Sequence, residues 1–337
     1  MSRTRELAEL ATAYDSGRSL GFRNRIINGD MRIDQRNNGA SVTTSVPEGF
    51  TYTLDRWAYY ASVITKFTVQ QNAASITPPT GFFNYLGCTS TSAYSVAAGD
   101  LFLIRQAVEG FNVADLGWGA AGAQTVTLSF WVRSSLTGTF GGSVGNSAGN
   151  RQYPFSYIIN SANTWEQKTV TIPGDTTGTW LTSNGVGLAL YFSLGTGTNF
   201  SGTAGAWGTS AYSATGAVSV VGTNGATFYI TGVQLEAGSV ATPFERRPYG
   251  TELALCQRYY EVLPLNASGF SITGGFFNTA DYRAHWFFKQ TKRALPTLTG
   301  SWIAGPTVSY VSTDNSVYYH TAPSFYNTSA LTASAEL

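Results

Sequence analysis

Apolar and polar residues alternate over short segments along most of the chain after Asn24, and clusters of Gly, Asn, Ser and Pro separate these segments. Alternation with period two places every second side chain on the same face of a β-strand. One face of each segment can then enter a core while the other face meets solvent. The pattern therefore predicts an all-β chain built around an antiparallel β-sandwich.

Two segments are predicted to be central strands of this sandwich. In residues 126–133, the alternation leaves Trp131 and Arg133 on the face that points away from the core. In residues 187–194, it leaves Tyr191 among small residues in the same way. The predicted core positions of the two segments are Val126, Leu128, Phe130, Val132, Leu188, Leu190, Phe192 and Leu194.

Further strands are predicted at residues 169–172 and 228–236, where β-branched and aromatic side chains are enriched. Between them, residues 195–225 contain many Gly, Ser, Thr and Ala residues and few large ones. A core needs large apolar side chains, so this stretch is predicted to be a long surface loop or hairpin.

Helical periodicity occurs at two places. Leu7, Leu10 and Tyr14 form one apolar stripe and predict a short N-terminal helix over residues 2–14, before a polar linker. Such a helix is marginal alone, so it must pack against this chain, sister copies or a docking partner. A second short helix is predicted over residues 251–261. The predicted domains are residues 1–21 (helix and linker), 22–250 (sandwich) and 251–337 (short helix and a smaller, aromatic-rich β domain).

The composition bears on the partners of the chain. Of its residues, 14% are aromatic but only 12% are charged, and the formal net charge is +1. Low charge density favours burial of apolar surface between copies, so self-association is expected. No Lys/Arg-rich run and no long apolar stretch occur, which argues against nucleic-acid binding and against membrane insertion. The N-terminus shows no apolar signal region, so synthesis in a cytoplasm is expected.

The residues offer little for catalysis. The chain has two histidines, His285 and His320, and it lacks the sequence motifs of serine hydrolases, zinc proteases and P-loop nucleotide enzymes. Glycosidase chemistry needs only two carboxylates. The best candidates for such a pair are Asp30, Asp34 and Asp55. These aspartates are more simply explained as turn and strand-edge residues. The chain is therefore expected not to be an enzyme, with no cofactor and no bound metal, and its two cysteines are expected to be buried thiols.

Two segments carry a family resemblance. Residues 24–39 read NRIINGDMRIDQRNNG, and residues 233–261 read VQLEAGSVATPFERRPYGTELALCQRYYE. Together they resemble bacteriophage tail-fibre or head-fibre proteins, and the order of segments over residues 24–247 is similar to the jelly-roll domain of carbohydrate-binding modules. The resemblance implies a homotrimer in the virion, made in the bacterial host, whose N-terminus docks on another virion protein. The residues proposed for this docking are Arg3, Arg5, Leu7, Leu10 and Tyr14.

The resemblance also implies host attachment through a bacterial surface polysaccharide. Sugar recognition needs a flat aromatic face for the C–H side of the ring and fixed polar groups for its hydroxyls. In fibres the variable tip is distal, so the C-terminal domain is the preferred location. The candidate residues are Trp286, Trp302, Tyr318, Tyr319 and His320 in that domain, and Trp131, Tyr191 and Arg133 in the sandwich.

A second function stays open at this point. The chain could be a purely structural virion component, such as a head fibre, a capsid decoration protein or a tail adaptor, with no ligand of its own. The aromatic side chains would then be buried between subunits, as they often are in oligomer interfaces. A secreted carbohydrate-binding module is disfavoured because the N-terminus does not resemble a signal peptide.

Overall fold

The computed structural model describes residues 22–46, 49–263, 273–276, 282–299, 307–320 and 330–337. The chain divides into two compact units, Met1–Arg246 (unit 1) and Arg247–Leu337 (unit 2). The predicted N-terminal helix and its proposed docking residues, Arg3, Arg5, Leu7, Leu10 and Tyr14, lie outside the described residues.

Unit 1 is built from β-strands joined by turns and short 3-10 helices. The strands are β1 (Val42–Thr43), β2 (Thr51–Tyr52), β3 (Trp57–Ala61), β4 (Phe67–Gln71), β5 (Leu86–Ser90), β6 (Leu101–Glu109), β7 (Val126–Ser134), β8 (Gly138–Gly145), β9 (Gln152–Ile159), β10 (Glu166–Ile172), β11 (Val186–Thr196), β12 (Ser201–Gly202), β13 (Ser213–Ala214) and β14 (Thr227–Ala237). The 3-10 helices are Ala73–Ser75, Gly110–Asn112, Ala114–Leu116 and Thr198–Phe200.

Twelve of these strands form two six-stranded antiparallel sheets. Sheet A has the order β1-β4-β5-β14-β7-β10, and sheet B has the order β2-β3-β6-β11-β8-β9. The two sheets enclose one hydrophobic core, to which both contribute alternate side chains. This arrangement confirms the predicted all-β fold class, an antiparallel jelly-roll sandwich followed by a smaller β-rich part.

The core contains the side chains that the alternation predicted. All eight predicted core positions on β7 and β11 are completely buried. Phe130 of sheet A packs edge-on against Phe192 of sheet B, with 5.0 Å between the ring centroids. Each such side chain contributes about 1.5–3 kcal/mol through its removal from water. The predicted strands at residues 169–172 and 228–236 are also confirmed, as parts of β10 and β14.

Residues 23–24 of unit 1 are joined to residues 233–245 by a set of hydrogen bonds that we call the clasp. The side chain of Asn24 donates to the Val233 carbonyl (3.0 Å) and accepts from the amide of Leu235 (3.1 Å). The Glu245 carboxylate accepts from the amides of Arg23 (3.0 Å) and Asn24 (2.9 Å). The two segments that resemble phage fibre proteins therefore bind each other in unit 1.

Residues 197–218 fold over the outer face of sheet B, and we call this stretch the covering segment. It contains β12 and β13, which pair in parallel, and the amide of Val218 donates to the Thr139 carbonyl of β8 (2.8 Å). The prediction of a surface loop over residues 195–225 was therefore wrong in part. Val220 and Val221 enter the core, and the small residues of the stretch allow close packing on the sheet.

Small residues on β8 make room for the covering segment. Gly141 lies beneath β13, and a Cβ atom at this position would overlap the Ser213 hydroxyl and lie 2.9 Å from the Ala214 amide nitrogen. A side chain at Gly141 is thus incompatible with the present position of β13. The covering segment therefore contacts sheet B through its backbone at β13, and elsewhere through large side chains such as Trp207, whose ring lies 5.2 Å from that of Tyr153 in β9.

Unit 2 begins with helix α1 (Tyr249–Gln257). Its strands are β15 (Tyr260–Leu263), β16 (Thr273–Phe276), β17 (Tyr282–Phe287), β18 (Thr297–Thr299), β19 (Thr307–Val311), β20 (Asn315–His320) and β21 (Leu331–Ser334). They form a three-stranded sheet, β15-β21-β18, and a four-stranded sheet, β16-β17-β20-β19. The helix predicted over residues 251–261 ends earlier, because Tyr260–Leu263 pairs with β21 as a strand.

A buried ion pair lies in unit 2. The Lys292 ammonium group contacts the Glu261 carboxylate at 2.6 Å and donates to the Gln257 carbonyl at 2.6 Å. Burial lowers the pKa of Lys292, whereas its hydrogen bond to Glu261 acts in the opposite direction. Cys256 of this unit and Cys88 of unit 1 are buried free thiols, as predicted.

Candidate functional site

One row of side chains crosses the outer face of sheet B. Strand register pairs Tyr52 with Ala58, Ala58 with Arg105, Arg105 with Tyr191, and Tyr191 with Ser143. Directly paired residues point to the same side of a sheet. The residues next to Arg105 and Tyr191 on their strands, such as Ile104 and Phe192, enter the core. The row therefore faces away from the core.

A groove of about 260 Å³ lies over this row. Its floor is formed by β6 and β11, one wall by the region of β2 and β3, and the other wall by the covering segment. The β8–β9 turn forms the rim. The lining residues are Phe50, Tyr60, Leu101, Arg105, Ser147, Ala148, Gly149, Tyr191, Phe200 and Tyr212.

Aromatic rings form both walls. On one side, the rings of Phe50 and Tyr60 lie 5.4 Å apart, and Phe50 is 39% exposed. On the other side, Tyr212 packs edge-on against Tyr191 of the floor at 5.1 Å and against Phe200 at 6.0 Å. Edge-to-face contacts fix the orientation of rings. The groove thus has preformed aromatic surfaces.

Arg105 supplies the positive charge of the groove. Its guanidinium carbon lies 4.2 Å from the centre of the Phe50 ring and 6.0 Å from that of Tyr191, both within cation–π range. Burial raises the pKa of Tyr191 and of Tyr212, and the charge of Arg105 partly offsets this effect for both groups. The two hydroxyls therefore stay protonated near neutral pH and can donate and accept hydrogen bonds.

The β8–β9 turn is held in place by its own hydrogen bonds. Asn146 donates through its side chain to Asn150 (2.7 Å) and to the Thr179 carbonyl (3.1 Å). Gly149 has a φ of +70°, which favours glycine, and a Cβ atom there would lie 3.1 Å from the Tyr212 hydroxyl. Glycine thus allows the rim to approach the aromatic wall closely.

No family model and no curated protein matches the sequence. Among solved structures, the enzymatically active domain of tailspike protein 4 from bacteriophage CBA120 is similar at 12% identity over 64% of this chain, with a TM-score of 0.33. The similar region is 21% of the tailspike chain, so this protein spans a minor part of that relative.

Two carbohydrate-binding modules are also similar. A family 4 module, CBM4, shows 14% identity over 63% of this chain and 98% of its own, with a TM-score of 0.31. A family 11 module from Clostridium thermocellum, solved in complex with a β-1,3-1,4-mixed-linked tetrasaccharide, shows 10% identity over 60% of this chain and 98% of its own, with a TM-score of 0.30. At these values the comparisons assign no family.

The residues predicted as ligand contacts in the sandwich lie on two different faces. Tyr191 is in the groove, at the centre of its floor. Trp131 and Arg133 are half-buried on the outer face of sheet A. There the Arg133 guanidinium lies 5.6 Å from the Tyr229 ring centre, and its Nε donates to the Asn163 carbonyl (2.9 Å). The structure therefore does not bring Tyr191 together with Trp131 and Arg133.

The candidates in the C-terminal part have other outcomes. Trp286 is 3% exposed and packs against Leu331 and Ala333, so its ring belongs to the core of unit 2. Its role as a ligand contact stays a prediction. Trp302 lies outside the described residues, as do the side chains of Tyr318, Tyr319 and His320, whose backbone is part of β20.

Sequence reasoning missed most of the groove. Arg105 directly follows four apolar residues of β6, and a charge at that place in a strand is a signal that could have been used. Phe200 and Tyr212 lie in the Gly-rich covering segment, where no alternation marks a face. Phe50 precedes a strand of two residues, too short for a period to be visible.

The remaining acidic candidates have structural roles. The Asp34 carboxylate accepts from the amides of Asn37 (2.9 Å) and Gly39 (2.7 Å), as expected for a turn. Asp55 accepts from the amide and the side chain of Gln35. Within the part of the chain that the structure describes, no cluster of three or more potential metal ligands occurs, and no helix has the length and apolarity to span a membrane.

Proposed function

We propose that the protein is a non-catalytic phage adhesin that binds a bacterial surface polysaccharide in the groove of sheet B. The observation that carries the proposal is the groove itself, in which aromatic walls flank Arg105 and Tyr191. Pyranose rings present apolar C–H faces that stack on aromatic rings, and their hydroxyls need fixed donors and acceptors. The groove residues supply both kinds of contact.

This proposal moves the predicted binding surface from the C-terminal domain to the sandwich. The Trp286 ring is buried, whereas Phe50 and the half-buried rings of Tyr60, Phe200 and Tyr212 line a cavity. A preformed concave surface with convergent polar groups is the usual form of a ligand site.

The role in the virion rests on the resemblance of residues 24–39 and 233–261 to phage fibre proteins. We propose that a homotrimer is mounted on another virion protein through the N-terminus, after synthesis in the host cytoplasm. Single sugar sites are commonly weak, and several copies held together bind a polymer much more tightly than one copy. A trimer with three grooves would thus favour lasting attachment.

Binding of the purified full-length chain to host cells and to an array of bacterial surface polysaccharides tests the proposal. The informative variants are Phe50→Ala and Tyr212→Ala, which remove one ring from each wall. The matched control is Phe83→Ala, because Phe83 is also an exposed phenylalanine of unit 1, at 85% exposure, and does not line the groove. We expect saturable binding that falls about two- to tenfold in the two wall variants, since stacking of a ring on an aromatic side chain contributes about 0.5–1.5 kcal/mol.

Absence of binding by the folded, oligomeric protein to every host cell and polysaccharide would contradict the proposal. The chain would then be a purely structural virion component, the second function left open by its sequence. Equal binding by wild type and both wall variants would show instead that a different surface contacts the glycan.

A further inference from the structure

We propose that the groove selects acidic polysaccharides, and that Arg105 binds the carboxylate of an acidic sugar residue. This inference rests on the proposed glycan-binding function and names the class of glycan. Three features of the groove support it: the sign of its charge, the position of the guanidinium group and the rings around that group.

The described lining of the groove is charged with one sign. Of its ten described residues, Arg105 is the one that carries a formal charge, and none is an aspartate or a glutamate. The charge of Arg105 acts on the hydroxyls of Tyr191 in the floor and Tyr212 in the wall. An anionic ligand group would therefore enter a region of favourable potential, which a neutral polymer could not exploit.

The guanidinium group is held in a defined orientation. Phe50 covers it at 4.2 Å, and in the register of sheet B Arg105 lies between Ala58 and Tyr191. The side chain is 7% exposed and makes a hydrogen bond with the Tyr191 hydroxyl, so its charge meets the groove beside that hydroxyl. A carboxylate in the groove would meet the positive charge of Arg105 there, and contacts of this charge-assisted kind are stronger than neutral ones.

The surrounding rings fit a uronate-type sugar. An equatorial carboxylate lies close to the mean plane of its pyranose ring, so one residue can stack its C–H face on an aromatic wall while its carboxylate reaches the guanidinium edge. Phe50 and Tyr191 both lie within about 6 Å of the Arg105 charge. The aromatic and ionic contacts are thus close enough for a single sugar residue to make both.

The experiment compares wild type with Arg105→Gln, Arg105→Lys and Arg246→Gln, all as full-length protein. Arg246→Gln is the matched control, because the Arg246 guanidinium also lies over an aromatic ring, 4.7 Å from the centre of Phe82, and does not line the groove. The array carries alginate, polygalacturonate, hyaluronate and the acidic surface polysaccharides of the host, each also in carboxyl-reduced form. Neutral glucans and galactans and a phosphate-bearing teichoic acid complete it, and thermal unfolding verifies that each variant is folded.

We expect binding to at least one carboxylate polymer, and about tenfold or greater loss of affinity after carboxyl reduction, because a charge-assisted pair is removed. Arg105→Gln should lose a similar factor, Arg105→Lys a smaller one, and Arg246→Gln less than twofold. If Arg105→Gln fails to fold, two other measurements test the inference. They are the affinity of wild type for each polymer compared with its carboxyl-reduced form, and the affinity of Arg105→Lys.

The alternative results separate the two proposals. Binding that is confined to neutral or phosphate-bearing polymers, or that carboxyl reduction leaves unchanged, would overturn the inference about acidic sugars while glycan binding stands. Binding to no polymer and to no host cell would overturn both.

Discussion

The outer faces of the two sheets of unit 1 carry similar side chains but differ in what lies over them. Sheet B presents Tyr191 beside Arg105, and sheet A presents Tyr229 beside Arg133. On sheet B the chain leaves a groove of about 260 Å³ above the tyrosine. On sheet A, Trp165, Ile76 and Ala73 pack against the rings of Tyr229 and its neighbour Tyr85.

The covering of sheet A is fixed by hydrogen bonds. Tyr85 donates to the Ala73 carbonyl and accepts from the Ile76 amide (2.8 Å), while the Trp165 indole donates to the Thr77 carbonyl (2.9 Å). The covering segment of sheet B, in contrast, packs on the half of the sheet near β8 and leaves the groove, in which Arg105 and Tyr191 are 7% and 5% exposed. An aromatic and cationic sheet face is therefore not by itself a binding site, because the neighbouring chain determines whether it is filled.

The largest expected effect is a loss of stability when a packed ring on sheet A is removed. Tyr229→Ala should lower the free energy of unfolding by about 3–5 kcal/mol, because Tyr229 is 2% exposed and its removal leaves a cavity among Tyr85, Trp165 and Ala73. Chemical denaturation measures this change. Glycan binding by the folded fraction should stay at the wild-type level.

Phe83→Ala serves as the reference for this prediction, since an exposed ring should change the free energy of unfolding by less than about 0.5 kcal/mol. If Tyr229→Ala left stability unchanged but removed glycan binding, the outer face of sheet A, and not that of sheet B, would be the binding face.

A smaller effect is expected when the open face is altered through its covering segment. Gly141→Ala places a Cβ atom against Ser213, so β13 must move away from β8 and Tyr212 must shift with it. Overpacking of this kind costs about 1–3 kcal/mol, and glycan affinity should fall as the wall is displaced. Binding and denaturation measured on the same samples would show both losses.

Gly99→Ala is the matched substitution, because a Cβ atom at Gly99 meets no heavy atom within 4 Å. Unchanged affinity in Gly141→Ala, despite reduced stability, would mean that the covering segment is not part of the site.

The smallest expected effect is a pH-dependent change in stability at Glu166, on the edge strand of sheet A. Partial burial acts to raise the pKa of Glu166, but hydrogen bonds from Lys168, Ser161 and Asn160 lower it to about 2 from an ordinary value of 4.5. A carboxyl group with a depressed pKa stabilises the fold above its unfolded-state pKa, and this contribution is lost as the pH falls toward the folded-state value.

The difference in the free energy of unfolding between wild type and Glu166→Gln should therefore be largest above about pH 4.5 and decrease between about pH 4.5 and 2. Denaturation at a series of pH values measures it. A difference that stays constant over this range would show that the carboxylate is not bound as described.

The sequence was sufficient for the sandwich because its central strands are long and strictly alternating. Phe130 and Phe192, for example, were assigned to the core by position alone and pack against each other there. Trp286 could not be assigned in the same way, because an aromatic residue in a short strand has no unambiguous face. Its burial depends on Leu331 and Ala333, which are distant in sequence.

The groove was less predictable because it depends on contacts between distant segments. Tyr191 was placed on the correct face by alternation, but its neighbour Tyr212 lies in a stretch of small residues whose path over β8 no local pattern specifies. The segments that resemble fibre proteins, 24–39 and 233–261, are explained in part by the clasp. Their polar residues join two chain ends, a requirement that sequence spacing alone does not reveal.

The clasp has a mechanical consequence. A pull that enters unit 1 near Arg23 and leaves near Glu245 is taken up by the hydrogen bonds between these two segments, because the two points of loading are adjacent. Tension along the chain then bypasses the two sheets, and Arg105 and Tyr191 lie outside the path of the force. Force applied between these two points would therefore leave the groove undistorted until the hydrogen bonds of the clasp break.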